Sequence, residues 1–199
     1  MKKLALSAVI AALCGTVGFH TNANAADGTI TFNGKISAAS CTVTGSGAAS
    51  GTGNISVIMP VVSTQALQAA NSTAGDTAFS LILGGGTNCT NGQTAAMWVE
   101  TASSSDLDTT TGNLKNHVTN GSNVQIQLVN PSNNGKIQLA QNVSVINGDT
   151  ILSNNQPAAT ITGNTATLKY VAHYVNAGAA GSVTAGDVQS ALVYSMQYN

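Results

Sequence analysis

The side chains able to do chemistry are few in this chain of 199 residues, and their spacing suits little of it. Asp106 and Asp108 stand two apart, which on a strand puts both carboxylates on one face, as a glycosidase pair requires. They sit instead in a Ser/Thr/Asp stretch, where shaping an Asx turn is the expected role, and the ligand spacing of a calcium loop is missing. His117, between Asn116 and Val118 in a polar loop, and His173, on the polar face of a strand, read as surface residues rather than general bases. Trp98 reads as a core anchor; alone and exposed, it would offer a platform for a sugar ring. No Gly-x-Ser-x-Gly elbow is present, and Gly84-Gly85-Gly86 leads into no helix that could cradle a phosphate. The expectation is a protein that is not an enzyme and needs neither cofactor nor metal.

The cysteines are more informative once the N-terminus is set aside. Lys2 and Lys3 precede an apolar run over residues 4–19, and Ala23-Asn24-Ala25 supplies the small-x-small pattern of a signal-peptidase site. A membrane anchor needs ~20 consecutive apolar residues, and Gly15, Thr16 and His20 interrupt this run. Residues 1–25 are therefore expected to be a signal peptide, cleaved before Ala26. Cys14 leaves with it, and Cys41 and Cys89 remain as the only pair. In an oxidising compartment two cysteines read as one disulfide. A thiolate metal site needs further ligands, and His117 and His173 fall in no close-spaced pattern with them.

Composition excludes whole classes. Only 7% of residues are charged and 4% aromatic, against 43% hydrophobic, and all six basic residues are lysine. No cationic stripe is available to release counterions from phosphates, so no nucleic-acid partner is expected. Charged e and g positions for a coiled coil are missing too, while the apolar content suffices for a core.

The elements that must carry these residues are short strands. Phe79, Leu81 and Leu83 alternate with Ala78, Ser80 and Ile82; Val124, Ile126 and Leu128 alternate with Gln125 and Gln127, with a hairpin to Ile137 and Leu139. Leu168, Tyr170, Ala172 and Tyr174 share a face opposite Lys169 and His173, and Leu192, Tyr194, Met196 and Tyr198 alternate near the C-terminus. Residues 55–62 and 94–101 read as further strands, 63–70 as a single helical turn, and the low-complexity stretches 44–53 and 103–112 as surface loops. The class is all-β, a sandwich of two antiparallel sheets.

Two segments do not fit a self-sufficient sandwich. Gly28, Ile30, Phe32, Gly34 and Ile36 fall on one face of a strand pattern that lies ahead of Cys41, where a free arm would be. The apolar strand of residues 191–199 ends without a polar tail and risks an open edge. From alternation alone, the first segment either pairs within its own domain or serves another.

Taken together, the Gly28–Ile30–Phe32–Gly34–Ile36 arm, Cys41-Thr42-Val43, Phe79-x-Leu81-x-Leu83 ahead of Cys89, the strand from Leu168 to Tyr174, Gly186 and Tyr198 resemble a chaperone–usher fimbrial subunit of the type 1 major pilin kind. The resemblance covers essentially the whole chain. It implies an incomplete immunoglobulin-like sandwich of six strands, completed by a strand from the neighbouring subunit. It divides the chain into a signal peptide (1–25), a donor arm (26–36) and a pilin domain (37–199). It implies export through the periplasm to a cell-surface fimbrium. The partners implied are identical or related pilins, a periplasmic chaperone that lends a strand beside Gly186, Leu192, Tyr194, Met196, Tyr198 and Asn199, and an outer-membrane usher. A host receptor is reached only through the assembled pilus. The other roles open to such a chain are a minor tip or adaptor subunit and a carbohydrate-binding adhesin, although an adhesin of this family carries a receptor-binding domain and no arm. A secreted hydrolase on a sandwich scaffold lacks its catalytic constellation here.

Overall fold

Alternation of apolar and polar side chains becomes alternation of burial over residues 77–84, 94–99 and 166–172. The computed structural model describes residues 34, 36–85, 88–142, 145–146, 149–150 and 154–199. The expected signal peptide and the arm residues Gly28, Ile30 and Phe32 lie outside the described residues. The strands are β1 (Thr42–Gly47), β2 (Ala49–Ser50), β3 (Ser56–Val57), β4 (Thr73–Gly84), β5 (Thr94–Val99), β6 (Leu114–Lys115), β7 (Gln125–Asn130), β8 (Gly135–Lys136), β9 (Val145–Ile146), β10 (Asp149–Thr150), β11 (Ala158–Thr160), β12 (Ala166–Val175) and β13 (Tyr194–Tyr198). Six of them, β1, β4, β5, β7, β12 and β13, have five residues or more. The expected helical turn is a 3-10 turn over Thr64–Leu67, begun by Ser63, whose hydroxyl accepts from Gln65 N–H. Among the described residues no helix is long and apolar enough to cross a membrane.

Two antiparallel sheets face each other across the core of the unit Ser37–Asn199. The larger has the order β1-β4-β12-β7-β6, with β8 also on β7; the smaller has the order β11-β5-β13. Phe79, Leu81 and Leu83 of β4 and Leu168, Tyr170 and Ala172 of β12 meet Ala95, Met97 and Val99 of β5 in this core. The fold is an all-β, immunoglobulin-like sandwich. Cys41, just before β1, and Cys89, just before β5, form a disulfide that ties the two sheets together. Between Ala172 and Tyr174 the β12–β4 register slips by one residue of β4. This bulge falls at Gly75, whose φ is +79° and whose Cβ would meet the Tyr174 ring and Val62 at 3.1 Å.

The structure corrects several expectations. Residues 44–53 are not a surface loop: Thr44, Gly45, Ser46 and Gly47 continue β1 along β4, and Ala49 and Ser50 form β2. Backbone pairing needs no side chains, so a glycine-rich stretch can hold a ladder that composition hides. Of residues 55–62 only Ser56 and Val57 pair as a strand; Pro60 lacks a donor, and Ile58 and Val61 stand in solvent. Trp98 is half-buried on the outer face, because Ala95, Met97 and Val99 take the inward positions of β5. His173 is buried, not a surface residue. Its Nδ1 lies 2.9 Å from Asp76 Oδ1 and its Nε2 lies 3.0 Å from Gln127 Oε1. From Gln127 a hydrogen-bond chain runs across the outer face through Asn113 and Gln125 to the Asp108 carboxylate. Asp108 does shape an Asx turn, accepting from Thr110 and Thr111 N–H. Asp106 does not; it is buried and turned toward the C-terminal segment.

The disulfide spans 48 residues, and loop-closure entropy for that length is worth about 4 kcal/mol. Replacing Cys41 or Cys89 with Ser is expected to lower the unfolding free energy by about that amount, read from urea denaturation of the oxidised protein.

Candidate functional site

The site is a furrow left open along the outer edge of β13. Glu100 N–H donates to Val193 O, and Thr94 and Asn199 exchange both of their backbone bonds, each at 2.9 Å. Antiparallel bonds recur at every second residue. The odd residues 193–199 therefore turn their backbone groups to β5, and Tyr194, Met196 and Tyr198 turn theirs the other way. N-terminal to β13 the same alternation continues, with side chains taking the place of a neighbouring strand. Asn116 Nδ2 donates to Asp187 O (2.8 Å) and its Oδ1 accepts from Gln189 N–H (2.8 Å). Asp106 Oδ2 accepts from Ala191 N–H (2.7 Å), and Ser104 Oγ accepts from Val193 N–H (3.1 Å). The main-chain groups of Gly186, Val188, Ser190 and Leu192 have no backbone partner among the described residues.

Beside this edge, cavities reach down to the core. Three cavities of about 550, 340 and 260 Å³ run into one another between residues 55–64 on one wall and 183–194 on the other. The widest and the middle cavity share Met59, Tyr174 and Val188; the middle and the narrowest share Ile55, Val57, Met59, Ile126 and Ser190. The floor of the narrow end is core: Phe79, Leu81, Met97, Leu128, Tyr170 and Ala172. Phe79 and Tyr170 stack there with ring centroids 5.3 Å apart. Burial pushes the Tyr170 hydroxyl well above its ordinary value, and that hydroxyl has no partner among the described residues.

Most of the C-terminal residues singled out from the sequence come together here. Leu192, Tyr194, Met196 and Tyr198 are half-buried against the core cluster. Gly186 lies in the wall of the widest cavity, where the chain crosses residues 121–122 so closely that a Cβ would sit 2.7 Å from Ser122 N and 2.8 Å from Gly121 C. Asn199 closes the pairing with Thr94. Of the arm, only Gly34 and Ile36 fall among the described residues, and Ile36 is exposed. Ser104, Asp106, Asn116 and His117, which hold the wall, were missed. In a chain this rich in Ser, Thr and Asn no local signal distinguishes them.

His117 fastens the same wall twice: its N–H donates to Gln189 O (3.0 Å), and its Nδ1 lies 2.6 Å from Asp106 Oδ2. Burial raises the Asp106 carboxyl, but bonds from His117, Ala191 N–H and Ser190, with the His117 charge, outweigh it and hold it below the ordinary 3.8. The bond to Asp106 raises His117 above 6.5 against a smaller opposing effect of burial. Among the described residues no group of three or more His, Cys, Asp or Glu could hold a metal ion.

An unpaired sheet edge beside a cavity floored by core residues is a surface to which a further strand can be added. A family model for type-1 fimbrial protein A (FimA) matches residues 59–199. The F17 fimbrial protein of Escherichia coli is 36% identical over 148 residues, covering 73% of this chain and 75% of that protein. Protein FimA of Bordetella pertussis is 31% identical over 151 residues, covering 70% of this chain and 98% of that one. A solved chaperone–usher pilus chain, described in a study of rod uncoiling, aligns with 87% of this chain and 96% of its own at 16% identity and a TM-score of 0.47. The chain belongs to the type-1 fimbrial protein family: it is a fimbrial subunit, exported to a surface appendage that is built from such subunits.

Two outcomes follow from this wall. Gly186→Ala forces the chain away from Gly121 and Ser122 and is expected to cost about 1–3 kcal/mol, measured by denaturation. The stability from Asp106 is present above 3.8 and lost as pH falls through its lowered folded value. That from His117 is present below 6.5 and lost as pH rises through its raised one. Denaturation midpoints against pH should therefore show this pair's contribution as a plateau between those two values, and Asp106→Asn should remove both of its shoulders.

Proposed function

We propose that this chain is a structural subunit of an adhesive surface fimbria that polymerises by donor-strand exchange. Residues 26–36 of one copy fill the furrow of the next, with Ile30, Phe32 and Ile36 on the apolar floor and Gly28 and Gly34 on the same face. The observation that carries this reading is the row of alternate backbone groups along residues 186–198, unpaired among the described residues and set beside a cavity floored by core residues. A strand laid there gains ladder hydrogen bonds at about 1 kcal/mol each and covers apolar surface worth about 25 cal/mol per Å². Donor and acceptor are different surfaces, so the contact is heterologous and propagates into a filament. Before assembly, in the periplasm, a chaperone strand covers the same edge, gripping Leu192, Tyr194, Met196, Tyr198 and the end of the chain at Asn199. At the outer-membrane usher the arm of the next subunit replaces it. A receptor is engaged through the fibre as a whole.

Linking a second copy of residues 26–36 after Asn199 through a flexible segment turns this association into an intramolecular one at millimolar effective concentration. The linked chain is expected to be a stable monomer that needs no chaperone, and Phe32→Asp in the linked copy should cost it several kcal/mol by burying a charge. Deleting residues 26–36 should leave a chain that stops fibre growth where it enters, seen by electron microscopy. If the deleted chain polymerises normally and the linked chain gains no stability, residues 26–36 are the domain's own first strand and the reading fails.

A further inference from the structure

The outer face of the larger sheet holds a buried titratable group that strand addition does not use. His173 lies on β12 with an acceptor at each ring nitrogen. Its Nδ1 is 2.9 Å from Asp76 Oδ1 on β4, and its Nε2 is 3.0 Å from Gln127 Oε1 on β7. A neutral imidazole has one donor nitrogen and one acceptor. Which form suits both neighbours depends on which atom of the Gln127 amide faces the ring.

That choice is made at the far end of the amide row. Asp108 Oδ1 accepts from Thr110 and Thr111 N–H, and its Oδ2 accepts from Gln125 Nε2 at 2.7 Å. Burial raises this carboxyl, but the bonds from Gln125, Thr111 and Thr110 outweigh it and hold it below the ordinary 3.8. An ionised carboxylate only accepts, so Gln125 turns its NH2 toward Asp108 and its oxygen away. That oxygen accepts from Asn113 Nδ2 (2.9 Å), and Asn113 Oδ1 accepts from Gln127 Nε2 (3.2 Å). Gln127 Oε1 is left facing the ring. Each amide hands its orientation to the next, so Asp108 requires His173 Nε2 to donate. Asp76 makes the same demand on Nδ1.

We propose that His173 carries a proton on both ring nitrogens and that this imidazolium and Asp76 form a pH-sensitive clasp across the β4 bulge. Gly75 and Asp76 stand there opposite His173 alone, between the pairs Ala74–Tyr174 and Thr77–Ala172. Tyr174, the next residue of β12, lays its ring against Gly75 and lines the furrow. Asp76 is the charged group bonded to the ring. On the same face β7 presents Gln125 and Gln127, which do not titrate. Lys169 of β12, Lys115 of β6 and Lys136 of β8 make no bond to the ring, and Lys136 Nζ donates to Thr111 O instead. As pH rises, the proton that leaves is the one on Nδ1, because the amide row holds Nε2–H. A bare lone pair then faces the Asp76 carboxylate, whose side chain is 75% exposed and can turn into water. The bulge loses its outer tie.

The test is nitrogen NMR of histidine-labelled fimbriae, with the ring signals assigned by their loss in His173→Gln. At neutral pH the wild-type ring is expected to show both nitrogens protonated. Asp76→Asn should leave one proton, on Nε2. Asp108→Asn should leave one proton, on Nδ1. There the new amide keeps its oxygen on Thr110 and Thr111 N–H and turns its NH2 to Gln125, which reverses every amide up to the ring. Raising the pH of the wild type should produce the Nε2–H form. Hydrogen exchange at residues 74–77, corrected for its intrinsic pH dependence, should then quicken severalfold, as it should in Asp76→Asn at neutral pH. A singly protonated wild-type ring at neutral pH overturns the proposal, whether or not any variant assembles. An unchanged ring in Asp108→Asn overturns the role of the amide row. Exchange at residues 74–77 that does not follow the state of the ring overturns the clasp.

Discussion

A backbone amide or carbonyl over apolar core must find a partner or stay in water, and along residues 186–198 this requirement is met on one side only. β5 and the side chains of Ser104, Asp106 and Asn116 take the odd-numbered groups and so fix which way the even-numbered ones face. Leu192, Tyr194, Met196 and Tyr198 stay half-buried because nothing among the described residues covers them. The cavities lie on that side, and the core residues Phe79, Tyr170 and Leu128 form their floor. Had the register shifted by one residue, the odd-numbered groups would face outward instead, and Leu192, Tyr194, Met196 and Tyr198 would turn away from the core.

What could be read in the residues was whatever a strand shows to its own core. β4, β5 and β12 alternate in burial over most of their length, because one face of each meets the opposite sheet. The hidden features are those in which a side chain serves something distant. Trp98 faces outward because its smaller neighbours take the inward sites, a choice made by the register of β5 with β13 rather than by the preference of a tryptophan. Asp106 and His117 sit in a polar stretch like any other, and only the return of residues 187–191, far along the chain, gives this pair the Ala191 and Gln189 backbone groups it holds. The β1–β2 region was hidden for a different reason: its ladder is made of backbone, which composition does not report.

The outer face of the large sheet shows how a chain with so little charge stays specific. The run from Asp108 through Gln125, Asn113, Gln127 and His173 to Asp76 crosses several strands with neutral amides between its charged ends. Among the described residues the close contacts between acidic and basic side chains are both His–Asp. Hydrogen bonds between neutral groups are directional and are not screened by dissolved salt as exposed charges are. The sheet is thus cross-linked in a way that ionic strength barely touches, which suits a surface appendage exposed to a changing medium.

The contact between Tyr198 and Cys41 joins residues 157 apart, and β13 pairs with β5 across 95 to 103 residues, from Tyr194–Val99 to Tyr198–Ala95. Contact order this high places a domain among slow folders, in the millisecond-to-second range, because long loops must close before their contacts repay them. The disulfide closes a much shorter loop, and the hairpins are shorter still. The smaller sheet, with β13 at its edge, is therefore the natural candidate to complete last. Until it does, the apolar inner face of the larger sheet has no lid. The hazardous interval for this molecule is the approach to its native state, when a half-built sandwich and another like it have the same surfaces to offer each other.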